Sequence, residues 1–240
     1  MKKLNIAIVG LGNIGSYLFK YLNENKNILA KKNNCIPHIS YVSARRKSKK
    51  RKIIFKKKQW LRNYLDCTKK NDVDLIVELI GGAEGPAKKL VFQALKNGKH
   101  VVTANKALVA KYGDKLSKIA EKNKVNLEFE ASVCGGVPII RSLKEGLIAN
   151  KIKKIYGIFN GTSNYLLSSM DKEKKNFDDV LKKAKKLGYA ETNPTSDLNG
   201  DDVAAKLKIL TSLCFNSFLN DNIHVEGIKE IDKDDIDNAN

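Results

Sequence analysis

A lysine and an aspartate lie one predicted helical turn apart in the last fifth of the chain, and together they could move a proton. The stretch from Asp201 is typical of a helix, with acidic residues in its first turn and an apolar stripe that includes Val203 and Leu207. Lys206 falls on the edge of that stripe, four residues after Asp202. One interpretation is that the lysine stem packs while its charge reaches water. The other is that both side chains face a reaction site.

A glycine-rich turn near the N-terminus indicates a nucleotide. Residues 10–15 read GLGNIG and follow LNIAIV, an apolar stretch typical of a strand. In this context the glycines allow a tight turn, a close approach of a pyrophosphate and close packing of strand and helix, and the helix N-terminus attracts the phosphates. A glycine-rich turn without a ligand is the alternative. The predicted phosphate site consists of Gly10, Gly12, Asn13, Ile14 and Gly15.

The end of the second predicted strand favours one cofactor over another. An NAD site normally has an acidic residue there, which binds the ribose 2′-hydroxyl. Arg45 and Arg46 occupy this position instead, and two guanidinium groups suit a 2′-phosphate. The sequence therefore favours NADP, with NAD use possible, unless both arginines simply belong to a basic loop.

Hydride transfer from such a cofactor to a carbonyl also requires a proton for the developing alkoxide. A desolvated lysine is a reasonable donor, and a carboxylate one turn away would position it. This chemistry gives the pair Lys206 and Asp202 a catalytic interpretation. Glu191 and Asp197 are anions near the same helix that could hold an amino-acid substrate.

Composition limits the other classes of function. The net charge of +19 suggests nucleic acid, but 40 of the 45 basic residues are lysines, whereas base and phosphate recognition depends on clustered arginines and aromatic residues. A basic nucleic-acid-binding protein is thus a minor alternative, although residues 45–58 hold ten basic residues in fourteen. No apolar run is long enough to span a membrane, and no signal peptide is recognisable, so a cytoplasmic protein is expected. The four cysteines and three histidines show no metal-ligand spacing.

Strand and helix patterns alternate over the first 135 residues and predict a Rossmann-type, doubly wound parallel sheet. Tyr17, Leu18 and Tyr21 are expected to face inward from the first helix. An incomplete α+β substrate domain is predicted over 136–232, with strands beginning at Lys151 and at His224. Residues 233–240 are interpreted as a polar tail.

Several motifs together resemble one family, the homoserine dehydrogenases, over residues 4 to about 232. In chain order they are GLGNIG, VELIGG, TANKALVA, EASVCGGVPII, NGTSNYLL and GYAETNPTSDLNGDDVAAKLKIL. The resemblance implies an oxidoreductase that interconverts L-aspartate 4-semialdehyde and L-homoserine, a step towards threonine and methionine, with a nicotinamide cofactor.

The resemblance also implies roles for individual residues. Lys206 would be the proton donor and acceptor, with Asp202 orienting it or the substrate, and Lys106 would be a second catalytic cation near the nicotinamide. Thr103 would lie at the cofactor. The substrate-binding residues would be Glu191, which holds the amino group, together with Tyr189, Thr162 and Asp197.

A monovalent cation, typically sodium, is a further implication of the resemblance. Its oxygen ligands would be provided by Glu130, Val133, Gly135 and Val137. The resemblance implies a homodimer and a family chain that continues well beyond Asn240. This chain is therefore expected to be truncated at the C-terminus, and an inactive nucleotide-binding fragment is the alternative to an active enzyme.

Overall fold

A computed structural model describes residues 1–47, 51–215 and 223–239. Three residues of the basic run (48–50) and the last residue of the predicted tail lie outside the described part. The chain divides into two compact units, residues 1–141 and 142–240, which are described one at a time. The boundary lies six residues after the predicted one, because the carboxylate of Glu130 accepts hydrogen bonds from the backbone N–H groups of Ile140 and Arg141 (3.0 and 2.8 Å).

Unit 1 is built on a parallel sheet of five strands in the order β2-β1-β3-β4-β5. Short apolar runs form the central strands, which is typical of a sheet covered on both faces. Ile8 and Ile76 are completely buried in neighbouring strands. The strands are β1 (Lys2–Val9), β2 (Cys35–Ser43), β3 (Leu75–Glu78), β4 (His100–Thr103) and β5 (Leu127–Glu128).

Helices connect the parallel strands, as a sheet of this type requires. They are α1 (Asn13–Glu24), α2 (Lys26–Asn33), α3 (Pro86–Lys96) and α4 (Lys106–Lys122). Short 3₁₀ helices lie between β2 and β3, and α5 (Ile139–Arg141) follows β5. Helices α3 and α4 bury leucines such as Leu90 and Leu116. Because all strands run in one direction, the loops that follow β1, β2, β3 and β4 gather at one edge of the sheet. The predicted α/β fold of this unit is confirmed.

Two details of unit 1 differ from expectation. Tyr17 and Tyr21 are exposed, whereas Gly15 and Phe19 are the buried residues of α1. The glycine turn sets the rotation of the helix, and periodicity alone does not contain that information. The outer edge of β2 is covered by residues 59–61, since Leu61 N–H donates to the Val42 carbonyl (3.0 Å). Local sequence patterns do not reveal this pairing, because the partner lies in an earlier strand.

All regular secondary structure among the described residues of unit 2 is helical. Its helices are α6 (Gly161–Glu173), α7 (Phe177–Leu187), α8 (Thr195–Leu198), α9 (Asp201–Phe215) and α10 (Lys233–Asn238). Leu166, Met170 and Val180 form the centre of a small core between α6 and α7. No helix among the described residues is both long and apolar enough to cross a bilayer.

The two strands predicted in unit 2 are absent from its described residues. The segments from Lys151 and from His224 are extended or irregular, because neither has a partner strand with which to form a ladder. Residues 233–238 of the predicted polar tail form the helix α10, which was not predicted from the sequence. Ile236 of this helix packs against the small core, and Lys174 pairs with Asp237 (2.7 Å).

One exposed carboxylate links α3 to α4. Glu84 lies just before α3 and accepts hydrogen bonds from Lys88, from Lys111 (2.9 Å each) and from the Tyr112 hydroxyl. The pKa of Glu84 is lowered to about 2, mainly by the hydrogen bond from Tyr112 and then by those from the two lysines. The cluster holds the loop after β3 against α4.

We expect Tyr112→Phe to raise the pKa of Glu84 from about 2 towards the ordinary carboxyl range, because its main hydrogen bond is lost. A carbon-13 NMR titration of the carboxyl group measures this. Since folding lowers this pKa, the stabilising contribution of Glu84 is complete above the unfolded value and is lost as the pH falls towards about 2. Lys115→Ala, at an exposed site on α4, is the control and should leave the titration unchanged. An ordinary pKa for Glu84 in the unsubstituted chain would contradict the assignment.

Candidate functional site

The glycine turn between β1 and α1 is closely packed on one side and open on the other. A Cβ atom at Gly10 would lie 2.3 Å from the Leu79 carbonyl oxygen, and Gly10 has a φ of +107°. A Cβ atom at Gly15 would lie 1.9 Å from the Gly10 carbonyl oxygen. At Gly12, by contrast, nothing lies within 4 Å. The open side is where a phosphate could approach the backbone.

A cavity of about 650 Å³ opens beside this turn, at the carboxyl edge of β1, β2 and β3. Its apolar wall includes Leu11, Leu79 and Ile80, and no carboxylate occurs among the described residues that line it. Asn13 and Ile14 are exposed in the first turn of α1, next to the cavity. The basic residues of the lining are Arg45, Arg46, Arg51 and Arg62. The structure thus places both predicted arginines at the nucleotide turn and adds two more.

Arg51 is a site residue that sequence reasoning missed. Its Nε donates to the Leu11 carbonyl (3.0 Å), and its terminal nitrogen donates to the Arg46 carbonyl (2.8 Å). It therefore joins the loop after β2 to the glycine turn. The signal was present in the basic run, but spacing alone could not distinguish this arginine from its neighbours.

A buried carboxylate that was also missed organises the next two loops. Glu78, at the end of β3, is completely buried and accepts hydrogen bonds from the N–H groups of Ile80 and Gly81 (2.6 and 3.0 Å). The Thr103 hydroxyl donates to its other oxygen (2.5 Å) and accepts from the Asn105 N–H (3.0 Å). The Thr103 hydroxyl is therefore buried and already hydrogen-bonded within the protein, so only the backbone of this residue could contact a cofactor.

Lys106 begins α4, directly after this network. Asn105 caps the helix by accepting from the Leu108 N–H (3.1 Å), and its amide donates to the Gly82 carbonyl (2.7 Å). These two hydrogen bonds fix the backbone from which the Lys106 side chain leaves. Lys106 is half-buried and belongs to unit 1.

In unit 2, the predicted pair Lys206 and Asp202 is in contact. The Lys206 ammonium lies 2.7 Å from the Asp202 carboxylate and donates to the Phe159 carbonyl at 2.6 Å. The side chains of Lys206 and Asp202 are only 16% and 10% exposed. An ammonium has three N–H donors, and two find acceptors among the described residues. The third N–H has no acceptor among the described residues.

Asn160 connects this pair to the rest of the unit and was missed as a site residue. Its amide nitrogen donates to Asp197 (2.8 Å) and to Asp202 (3.0 Å), and its oxygen caps α6 by accepting from the Ser163 N–H (2.8 Å). Asn160 begins the NGTSN turn, but local spacing does not distinguish it from its neighbours. Asp197, a predicted substrate residue, thereby joins the network of Lys206.

The other predicted substrate residues lie around the start of α6. The Thr162 hydroxyl donates to the Tyr189 carbonyl (2.8 Å), and the Tyr189 ring stacks on Tyr165 with centroids 4.3 Å apart. Glu191, two residues after Tyr189, is exposed and has no ion pair among the described residues. Its carboxylate is open to a cationic group.

The predicted cation ligands lie in one loop of unit 1. The Glu130 carboxylate is held by the backbone of α5, and Val133 is completely buried. The carbonyl oxygens of Val133 and Gly135 accept no hydrogen bond from any described residue, whereas that of Val137 accepts from Ile139 (2.8 Å). Carbonyl and carboxylate oxygens are the ligands that a hard cation prefers, and two of these carbonyls are free of hydrogen bonds from the described residues. No cluster of three or more acidic, histidine or cysteine side chains occurs among the described residues.

The sheet, the glycine turn and the basic cavity define unit 1 as a dinucleotide-binding domain of the Rossmann type. Family models identify it further: that of the homoserine dehydrogenase NAD binding domain matches residues 10–130, and that of homoserine dehydrogenase matches residues 138–240. The chain belongs to the homoserine dehydrogenase family.

Individual relatives agree with this assignment. The chain is 42% identical to the homoserine dehydrogenase of Neisseria gonorrhoeae and 40% identical to that of Bacillus subtilis, and it aligns over 98% of its own length and 54% of theirs. Among solved structures, a homoserine dehydrogenase from Thiobacillus denitrificans superimposes with a TM-score of 0.90 at 40% identity, over 100% of this chain and 55% of that chain. A hyperthermophilic archaeal homoserine dehydrogenase in complex with NADPH gives 0.80 at 26% identity, over 95% and 75%.

The chain thus spans about half the length of the curated relatives it matches. Within that half, the structure brings together the arginines and the glycine turn in unit 1. In unit 2 it brings together Lys206, Asp202 and Asp197. The proposed roles of these residues remain predictions.

The glycine turn gives a matched pair of variants. Gly15→Ala should destabilise unit 1 by about 3 kcal/mol or more, because the new methyl group meets the Gly10 carbonyl and the backbone must move. Gly12→Ala should cost less than about 1 kcal/mol, because the side of the turn at Gly12 is open. Urea unfolding of both variants measures the difference. Equal losses of stability would contradict the packing described for the turn.

Proposed function

We propose that the chain carries the residues for NADP(H)-dependent interconversion of L-aspartate 4-semialdehyde and L-homoserine. The observation that carries the proposal is the half-buried Lys206 ammonium, which is held by Asp202 and by the Phe159 carbonyl and retains one N–H. Membership of the homoserine dehydrogenase family supports the choice of substrate. Because the chain spans about half of its relatives, the activity of this chain is itself part of the proposal.

The proton is the part of the reaction that the protein supplies. When bound, NADPH supplies the hydride that reduces the aldehyde. As the aldehyde oxygen gains negative charge, the free N–H of Lys206 donates a proton to it, and in the reverse direction the neutral amine accepts that proton from homoserine. Asp202 holds the Lys206 nitrogen in place throughout. Lys106, in unit 1, is proposed as a second catalytic cation.

Substrate binding follows from the charges of unit 2. Both substrates are amino acids, and the open carboxylate of Glu191 is proposed to bind their ammonium group. The Thr162 hydroxyl holds the Tyr189 carbonyl, and the Ser163 hydroxyl holds the Asp197 carbonyl. Thr162 and Asp197 are proposed to contact the substrate, and the stacked ring of Tyr189 to form an apolar side for its short carbon chain.

The cofactor is proposed to be NADP, with NAD as a possible second cofactor. The residues present fit a phosphorylated dinucleotide: an open glycine turn for the pyrophosphate and Arg45 and Arg46 for a 2′-phosphate, in a cavity without carboxylates among its described lining residues. A bound NADPH in the archaeal relative supports this choice.

A monovalent cation, sodium by the family resemblance, is proposed in the loop after β5. Glu130 and the carbonyls of Val133, Gly135 and Val137 would be its ligands, and two of those carbonyls have no other partner among the described residues. The cation would hold the loop rather than take part in the reaction. Homodimer formation also remains a prediction of the resemblance.

We expect the chain to oxidise NADPH in the presence of L-aspartate 4-semialdehyde, and Lys206→Ala to lower kcat by about 10²-fold or more, the size expected of a general acid. NADPH binding, measured by fluorescence titration, should not change, because the proposed cofactor contacts are made by the glycine turn and the arginines and not by Lys206. Absorbance at 340 nm reports turnover.

The control is Lys185→Ala, which removes an exposed lysine of α7 and should leave turnover unchanged. Bound NADPH without turnover in the unsubstituted chain would mean that this chain is a nucleotide-binding fragment. Equal activity of Lys206→Ala and the unsubstituted chain would overturn the role of Lys206.

The cofactor proposal has its own test. Replacing Arg45 and Arg46 by alanine should raise KM for NADPH by about tenfold or more and leave KM for NADH nearly unchanged, because only NADPH carries the 2′-phosphate that the guanidinium groups would bind. Steady-state kinetics with each cofactor measures this. Equal effects on both cofactors would overturn the 2′-phosphate assignment.

A further inference from the structure

A second cavity in unit 1, of about 930 Å³, lies away from the nucleotide turn. It is bordered by residues 37–41 in the first part of β2, whereas the nucleotide cavity begins at Ser43, the last residue of that strand. The covering segment, residues 51–62, borders both cavities: Arg51 and Arg62 line the nucleotide cavity, and residues 52–56 line the second one. None of the roles proposed above uses this second cavity.

The floor of the second cavity is apolar and partly aromatic. Phe19 and Ile39 are buried in the sheet core, and Ile53 and Phe55 pack on the same cluster from the covering segment. Ligand cavities of about 300–1,000 Å³ typically enclose a whole small molecule on such a surface. The cavity therefore has the size and the apolar floor of a binding site for a small organic compound.

The rim of the cavity is strongly cationic. The lining contains five lysines and two carboxylates, Glu24 and Asp72. Both carboxylates are already engaged, Glu24 with Lys20 (3.7 Å) and Asp72 with the Tyr41 hydroxyl (2.8 Å). The other four lysines have no ion pair among the described residues, and they are Lys26, Lys52, Lys56 and Lys58. Their charge is uncompensated and surrounds an apolar floor.

His38 lies in the wall of this cavity and senses that charge. Its pKa is lowered, first by burial and then by Lys3, Lys26 and Lys56, while Asp72 acts in the opposite direction. These groups come from β1, α2, the covering segment and the turn before β3, so positive charge reaches the ring from several sides. An anion in the cavity would counteract the lysines and favour the protonated imidazole.

We propose that this cavity binds a small organic anion with at least two negative charges and a flat apolar body. The charges would pair with the lysines of the rim, and the body would lie on Phe19 and Phe55. This assignment gives the basic run at 45–58 two functions: its first arginines serve the nucleotide cavity, and its last lysines serve the second cavity. The inference is independent of the proposed enzymatic activity.

The probe is benzene-1,3,5-tricarboxylate, added to the full chain and followed by proton–carbon NMR of the histidine rings. Binding should raise the pKa of His38 towards its ordinary value of about 6.5, while His100 and His224, which are outside this cavity, should not respond. Propane-1,2,3-tricarboxylate, which has the charges without the flat ring, should bind less tightly. Inorganic phosphate as a third probe separates a requirement for carboxylates from a general preference for anions.

The triple variant Lys52→Gln, Lys56→Gln, Lys58→Gln should weaken binding of the aromatic tricarboxylate by about tenfold or more. The matched control, Lys89→Gln, Lys96→Gln, Lys115→Gln, removes the same charge from exposed sites on α3 and α4 and should bind normally. Equal weakening in both variants would reduce the effect to net charge and overturn the proposal. Displacement of the probe by NADPH without a response of His38 would also overturn the proposal. Binding of duplex DNA through the same lysines, without binding of the probe, would overturn it too.

Discussion

The buried carboxylate of Glu78 is the constraint on which the candidate site of unit 1 depends. A carboxylate without water costs several kcal/mol unless hydrogen bonds replace its hydration. Glu78 obtains them from the Ile80 and Gly81 N–H groups and from the Thr103 hydroxyl, all of them uncharged donors. Ile80 and Gly81 belong to the loop after β3, and Thr103 is the last residue of β4 and also accepts a hydrogen bond from the Asn105 N–H in the loop that follows. The loop after β3 therefore cannot open without removing donors from the Glu78 carboxylate, and the loop after β4 is tied to the same network through Thr103. The positions of the cavity wall at Ile80 and of Lys106 both follow from this.

Unit 2 also provides hydrogen bonds to a buried carboxylate, that of Asp202. In both units an asparagine at a helix N-terminus uses its amide oxygen to cap the helix and its amide nitrogen to reach another segment. Asn105 caps α4 and donates to the Gly82 carbonyl, and Asn160 caps α6 and donates to Asp197 and Asp202. An aspartate in either place would cap equally well but could not donate. Each candidate site is thus tied to the start of a helix, where the backbone is well defined.

The sequence was informative where the determining contacts are local. Alternating strands and helices, the GLGNIG turn and the four-residue spacing of Asp202 and Lys206 all follow from periods of a few residues. Glu78, Arg51 and Asn160 could not be found in this way, because their partners lie 25, 40 and 42 residues away. Periodicity likewise predicted an apolar face for α1 but not its rotation, which is set by the close contact of Gly15 with the backbone of Gly10.

The two strands predicted in unit 2 also show that local sequence patterns do not determine secondary structure alone. A strand pattern specifies which residues alternate, but a ladder also requires a second strand, and none is available among the described residues. The extended segment that ends at Phe159 nevertheless has a defined end, because its last carbonyl accepts from Lys206 and the next residue caps α6. The Lys206 network therefore depends on α6, α8 and α9 and not on a sheet. Pairing of that segment with another strand would add backbone hydrogen bonds while Lys206 keeps its contacts with Asp202 and the Phe159 carbonyl.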